Sequence, residues 1–144
     1  MTKEEKELLL KDLCCRLSYG VHIHTDHYEE KVLEPYYLDQ FDVLNPKPYL
    51  RPMSSISGAE CILFRETTGL RIDKTEVIHP KTGKPVSYVS ITNDYSDNPD
   101  TSSLVEIDGS VIYKAMDFLN AHHLDYRNLI GKGLALEAPE GMYK

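Results

Sequence analysis

No apolar run in this chain approaches the roughly 20 residues that a helix needs to cross a bilayer. The Leu8-Leu9-Leu10 stretch near the start spans three residues. A helical membrane span is therefore excluded, and the charged opening Thr2-Lys3-Glu4-Glu5-Lys6-Glu7 predicts a chain that is not exported. Cysteine is scarce: there are three, and Cys14 and Cys15 are adjacent, which is neither the count nor the spread of a secreted disulfide framework. Reduced thiols and a cytoplasmic location follow as expectations. Positive charge is also short, with 16 Lys and Arg against 23 Asp and Glu for a net charge of −7. Such a field repels phosphate backbones and anionic lipid unless one face is locally basic. The densest basic stretches, residues 81–84 and 132–143, are interleaved with Gly, Pro or Glu. No nucleic-acid partner and no membrane partner are expected, and a DNA-mimic role would rest on net acidity alone. The sequence has no P-loop, no nucleophile elbow and no dinucleotide-binding glycine pattern.

What is present suits an ordinary folded domain. Apolar residues make up 41% and charged residues 27% of 144 residues, so the chain can bury one core and is expected to form a single domain, 1–144. Thr2-Lys3-Glu4-Glu5 fits a capping box, which predicts a helix with Leu10, Leu13, Cys14 and Leu17 as its apolar stripe and Gly20 as its stop. The period then changes to two. Val21, Ile23 and Thr25 share one face of a predicted strand over residues 21–26, and His22, His24 and Asp26 share the other. Val32-Leu33, Tyr36 to Leu38 and Phe41 to Leu44 read as further extended segments. Pro46, Pro48 and Pro52 form a rigid connection and the chief internal boundary.

Residues 57–66 fit either a helix opened by Ser57 or a buried strand. Val77 to His79 and Val86 to Thr92 flank a Gly/Pro turn and predict a hairpin. Asn93 to Ser103, rich in Asp, Asn and Ser, reads as a loop. A helix from Ser110 to His122, capped by Asp108 or Ser110, presents Val111, Ile112, Ala115, Met116, Phe118 and Leu119. Asp125 is placed to cap a second short helix closed by Gly131 or Gly133, and Leu134 to Ala138 reads as a final strand. The expected class is α+β, with an N-terminal helix, a small and mostly antiparallel sheet, a C-terminal helix pair and a short last strand.

The C-terminal string DFLNAHHLDYRNLIGKGLALEAPEGMY, Asp117 to Tyr143, resembles the ending of small uncharacterised proteins of gut Bacteroides and their phages and mobile elements. Leu50-Arg51-Pro52-Met53-Ser54-Ser55 and the opening helix leading into Tyr19-Gly20-Val21 are two further landmarks of that resemblance. It implies a cytoplasmic accessory protein encoded by a phage or mobile element. No activity is established for that group, so it implies no functional residues.

His22-Ile23-His24-Thr25-Asp26-His27 spells His-x-His-x-Asp-His, which resembles the metal-binding signature of metallo-β-lactamase-fold hydrolases. Two imidazoles on one strand face, with Asp26 and His27 from the following turn, have the donor chemistry to hold zinc and activate water. The surroundings depart from that fold. One helix precedes the motif where several strands are needed, Tyr28-Glu29-Glu30-Lys31 follows it in place of glycine, and His79 is the only mid-chain histidine to complete the set. The plainer reading is a solvent-accessible strand face. His123 and Asp125, at a helix junction, are the candidates for general acid/base work, although helix dipoles alone account for their positions. Tyr36, Tyr37 and Tyr49 could line a protein-binding face. The leading expectation is a non-enzymatic accessory or protein-interaction protein without a cofactor, whose partner is another protein or a second copy. The rival is a small zinc-dependent hydrolase or metal-binding protein using His22, His24, Asp26 and His27.

Overall fold

The helix that opens the chain starts where its capping box predicts. In the computed structural model, which describes residues 1–93 and 109–143, Thr2 and Glu5 cap α1, Lys3–Arg16, reciprocally. After a 3-10 turn the chain leaves through Gly20 at φ 69°, a left-handed conformation that suits glycine. Which face α1 buries is a correction to the sequence reading. Leu9, Asp12, Leu13 and Arg16 are its buried residues, and Cys14 is exposed. The inward stripe lies about one residue away from the predicted one because Asp12 and Arg16, four apart, neutralise each other inside.

The chain divides into two compact units: Met1–Pro52 with Leu119–Lys144, and Met53–Phe118. The first break falls at the end of the proline stretch. In the first unit α1 is followed by β1, His22–His24, and β2, Lys31–Val32. Next come α2, Pro35–Asp39; α3, Phe41–Leu44; β3, Lys47–Leu50; and, near the C-terminus, β6, Leu136–Glu137. The sheet order is β2-β1-β3-β6, antiparallel except for the parallel β3–β6 pair. Its core includes Leu9, Leu13, Val21, Ile23, Leu50 and Leu129.

Two predicted extended segments are helices instead. Pro35 sits in the first turn of α2, where its missing amide costs nothing, and Asn45 at φ 47° ends α3. Pro48 is accommodated inside the sheet because it faces Ile23. Leu33 N–H donates to the Val21 carbonyl at 2.9 Å, so Ile23 directs its own backbone groups towards β2 and asks Pro48 for none.

The second unit contains α4, Gly58–Thr68; β4, Leu70–Ile78; β5, Pro85–Asn93; and most of α5, Gly109–Ala121, whose last turn belongs to the first unit. Residues 57–66, open between helix and strand on sequence, belong to α4, fixed by a Ser57/Glu60 capping box and stopped by Gly69 at φ 76°. The predicted hairpin forms and is longer than expected, because β4 begins at Leu70. Phe64 and Phe118 pack edge to face in this unit, their ring centroids 5.1 Å apart. On α5, Ala115, Phe118 and Leu119 are buried while Ile112 is exposed. The expected loop of residues 93–103 lies outside the described residues apart from Asn93, which ends β5, and the candidate cap Asp108 lies outside them too.

The fold is α+β. Its C-terminal helix pair reduces to one helix, since residues 122–133 form successive turns. His123 and Asn128, both at φ 57°, take left-handed conformations that no α-helix can continue through.

Candidate functional site

The alternation over residues 21–25 is as the sequence predicts. Val21, Ile23 and Thr25 are buried, and His22 and His24 turn to the opposite face, which is partly covered rather than open. The four candidate ligands do not share partners. His22 Nδ1 pairs with Glu30 Oε1 at 2.6 Å, and Asp26 Oδ2 accepts from Asn45 Nδ2 at 2.7 Å. His27 gives its backbone N–H to Thr25 Oγ1 at 3.3 Å, while His79, in the other unit, accepts the Lys81 N–H on Nδ1 at 3.2 Å. Among the described residues no three His, Cys, Asp or Glu side chains gather where a metal ion could sit.

What covers the histidine face is Tyr143. The register Ile23↔Pro48 and His24↔Lys47 would set His22 opposite Tyr49 as the next hydrogen-bonded pair. The Tyr143 hydroxyl enters that pair instead, accepting from the His22 N–H at 2.8 Å and donating to the Tyr49 carbonyl at 2.7 Å. A phenol thus replaces one direct rung of the ladder and ties the C-terminus to two strands. Its ring meets the His22 ring edge-on at 5.2 Å and stacks on the His123 ring at 3.7 Å. Burial pushes the Tyr143 pKa up to about 12.

His123 is 9% exposed. Burial chiefly, then the charges of Arg16, His22, His122 and Arg51, lower its pKa to about 4, so the imidazole is neutral at pH 7. Its Nδ1 has no hydrogen-bond partner among the described residues. Asp125 gives it no help, because its Oδ1 accepts from the Leu129 N–H at 2.8 Å and its Oδ2 from the Ile130 N–H at 2.9 Å. The two candidate acid/base residues therefore do different jobs: Asp125 pins the turns after α5, and His123 packs on Tyr143.

Beneath them lies a charged network that no motif announces. Asp12 and Arg16 are both fully buried, with Arg16 Nε 2.8 Å from Asp12 Oδ2. Arg16 Nη2 also donates to the Leu124 carbonyl at 2.8 Å. Arg127 Nε lies 3.2 Å from Asp12 Oδ1, near enough for charge pairing although neither atom gains a directed hydrogen bond. The Arg16 and Arg127 guanidinium carbons stand 5.0 and 5.1 Å from the centroid of the Tyr126 ring, within cation–π range. Arg16 of this network is also the first of the charges that, after burial itself, hold the His123 pKa down. The Asp12/Arg16 spacing of four was the one sequence signal for this network.

These residues hold Tyr143 and the turns after α5 in place. A cavity of about 250 Å³ opens elsewhere in the unit, beside Glu5, Lys47 and Lys132, and no His, Cys or Tyr lines it. Of the three tyrosines suggested as a binding face, Tyr36 is exposed, but Tyr37 is buried in the core and Tyr49 donates its hydroxyl to the Glu29 carbonyl at 3.0 Å. No family model, curated protein or solved structure matches the chain, so no known site can be carried onto these residues.

The surface that sequence reasoning missed is in the second unit. From Lys74 to Ile78 every residue of β4 is exposed, including Val77 and Ile78, and Ile91 of β5 is exposed as well. Leu70 and Ile72, at the base of the same strand, are buried. The outer half of the hairpin therefore carries Val77 and Ile78 uncovered by any of the described residues, while Ile91 stands at its base opposite Ile72. Isolated two-stranded hairpins are marginal in water.

Proposed function

We propose that the chain is a non-enzymatic protein-interaction protein whose working surface is the outer half of the β4–β5 hairpin. The observation that carries this reading is the run of exposed residues Lys74–Ile78, with Val77 and Ile78 uncovered at its end. Val77 and Ile78 are consecutive strand residues and so face opposite ways, which gives both faces of the hairpin's outer half apolar surface to offer a partner. The first unit supports the same reading from the other side, since its ionisable cluster is committed to holding Tyr143 and Asp125 in place. The three free cysteines favour action in a reducing cytoplasm, and the resemblance to small proteins of Bacteroides phages and mobile elements fits an accessory role of this kind.

Photo-cross-linking in producing cells tests the proposal. A photoreactive residue in place of Ile78 is expected to give discrete cross-linked products, while the same residue in place of exposed Val43, in the first unit, gives none. Equal labelling from both positions, or none from Ile78, would overturn it.

A further inference from the structure

The two outer edges of the hairpin differ. Pro85 stands opposite Ile78, and proline has no amide to exchange, so that pair is of the non-hydrogen-bonded class. His79 N–H donates to the Lys84 carbonyl at 2.9 Å, which puts the next pair in the hydrogen-bonded class. Alternation then assigns the rest of β4. Arg71, Asp73, Thr75 and Val77 exchange hydrogen bonds with β5, while Ile72, Lys74, Glu76 and Ile78 turn their N–H and C=O groups outward. Among the described residues no strand pairs with that outer edge. On the other side, Pro85 interrupts the outer edge of β5 with a residue that has no N–H to offer.

An open edge pairs with another strand unless charge or shape prevents it, and the charges here select the partner. A second β4 running antiparallel can meet this edge only with outward-turned residues opposite outward-turned residues. Registers that set Lys74 against Lys74, or Glu76 against Glu76, oppose like charges, and a register centred on Asp73 sets two carboxylates together. Centred on Thr75, each Lys74 meets the Glu76 of the other copy and each Ile72 meets its Ile78. Opposite charges and apolar side chains then match at once, and Ile78, 73% exposed in the single chain, gains a neighbour. Lys74 also donates to the Ile56 carbonyl, and an ammonium with three donors can serve both. We infer that β4 pairs with β4 of a second copy about a two-fold axis at Thr75, joining two hairpins into one four-stranded antiparallel sheet. This rests on the interaction reading above and names its partner. Such a contact is isologous, so it closes at two copies.

Sedimentation of the full purified chain over a wide concentration range tests the pairing. The wild type is expected to pass from monomer to dimer as concentration rises. Glu76→Lys, which opposes two lysine pairs, is expected to remain monomeric, and Lys74→Glu/Glu76→Lys together to regain the dimer. Register is read independently by disulfide trapping after Cys14, Cys15 and Cys61 are replaced by Ser. Thr75→Cys faces its own copy across a non-hydrogen-bonded pair, where Cα atoms lie about 4.5 Å apart and a disulfide can form. Val77→Cys would face itself only in a slipped register. Oxidation is expected to cross-link Thr75→Cys and leave Val77→Cys single. A wild type that stays monomeric throughout, a dimer indifferent to Glu76→Lys, or a disulfide at 77 in place of 75 overturns the pairing. If the chain is monomeric while Ile78 cross-links another protein in cells, the interaction reading stands and only self-pairing falls; failure at Ile78 removes both.

Discussion

Acid should unfold this protein in part through one residue. His123 takes up its proton at about 4 in the folded chain, against 6.5 for an unperturbed histidine. Between those values the unfolded chain binds the proton first, so stability is complete above about pH 6.5 and falls as the pH drops towards 4. The gap of about 2.5 corresponds to about 3 kcal/mol at about 1.4 kcal/mol per pH unit. That is an upper figure, and a large share of a small domain's typical margin of about 5–15 kcal/mol. The groups that set it are the burial itself and the charges of Arg16, His22, His122 and Arg51. The contribution of His123 is isolated by difference. His123→Asn is the suitable variant, because the native φ of 57° is one that asparagine tolerates. Urea unfolding of both chains from pH 7 to pH 4 should show the variant offset at neutral pH by the lost stack on Tyr143, with the two profiles converging as the pH falls. Parallel profiles across that window would refute the reasoning, as would an imidazole that titrates near 6.5 by NMR.

Tyr143→Phe removes the hydroxyl between His22 N–H and the Tyr49 carbonyl but keeps the ring that prevents those groups from meeting; a loss of about 1–3 kcal/mol is expected by chemical denaturation. Asp12→Ala leaves Arg16 buried without its carboxylate, and a loss of about 3–5 kcal/mol, or failure to fold, is expected, well beyond that of the surface control Asp42→Ala. His22→Gln/His24→Gln should shift the melting temperature little, because the His22–Glu30 contact is partly solvated and worth about 0–1 kcal/mol. Zinc in protein purified without a histidine tag should be far below one ion per chain, and a chelator should leave the melt unchanged; stoichiometric zinc would restore the hydrolase reading. At the alkaline end, Tyr143 holds its proton to about 12 in the folded chain, so its contribution is present below pH 10 and is lost as the pH rises from 10 towards 12, visible as coupled phenolate absorbance and unfolding.

The elements legible in the sequence are those whose signals are local. Both capping boxes, at Thr2 and Ser57, place helix starts directly, and the alternation at Val21, Ile23 and Thr25 gives the correct inward face. Where short apolar clusters stand alone the reading fails. Tyr36 to Leu38 and Phe41 to Leu44 fall in helices too short for a helical period to show, and the first of these helices starts at Pro35. Asp125 does cap backbone amides as its position suggests. The helix expected after it is stopped by Asn128, a residue type that adopts the left-handed conformation readily but does so at only a minority of its positions. The Tyr143 contact was beyond reach for a different reason: its partners lie 121 and 94 residues away, and a hydroxyl inserted in a strand ladder leaves no periodic trace.

The two histidine readings and the hairpin show what a motif can and cannot carry. His-x-His-x-Asp-His fixes which side chains share a strand face, and that much is correct. Convergence on an ion also depends on what surrounds each side chain, and here Glu30, Asn45 and Tyr143 engage His22 and Asp26 first. The hairpin edge is the opposite case, since it contains no motif at all. Once Pro85 is known to face Ile78, the missing amide alone decides which residues of β4 point outward, and the order Ile-Asp-Lys-Thr-Glu-Val-Ile then decides which register a second copy could accept. A single imino acid thus fixes more of a strand's backbone geometry than four potential metal ligands fix of a site, because backbone parity propagates along a strand and side-chain proximity does not.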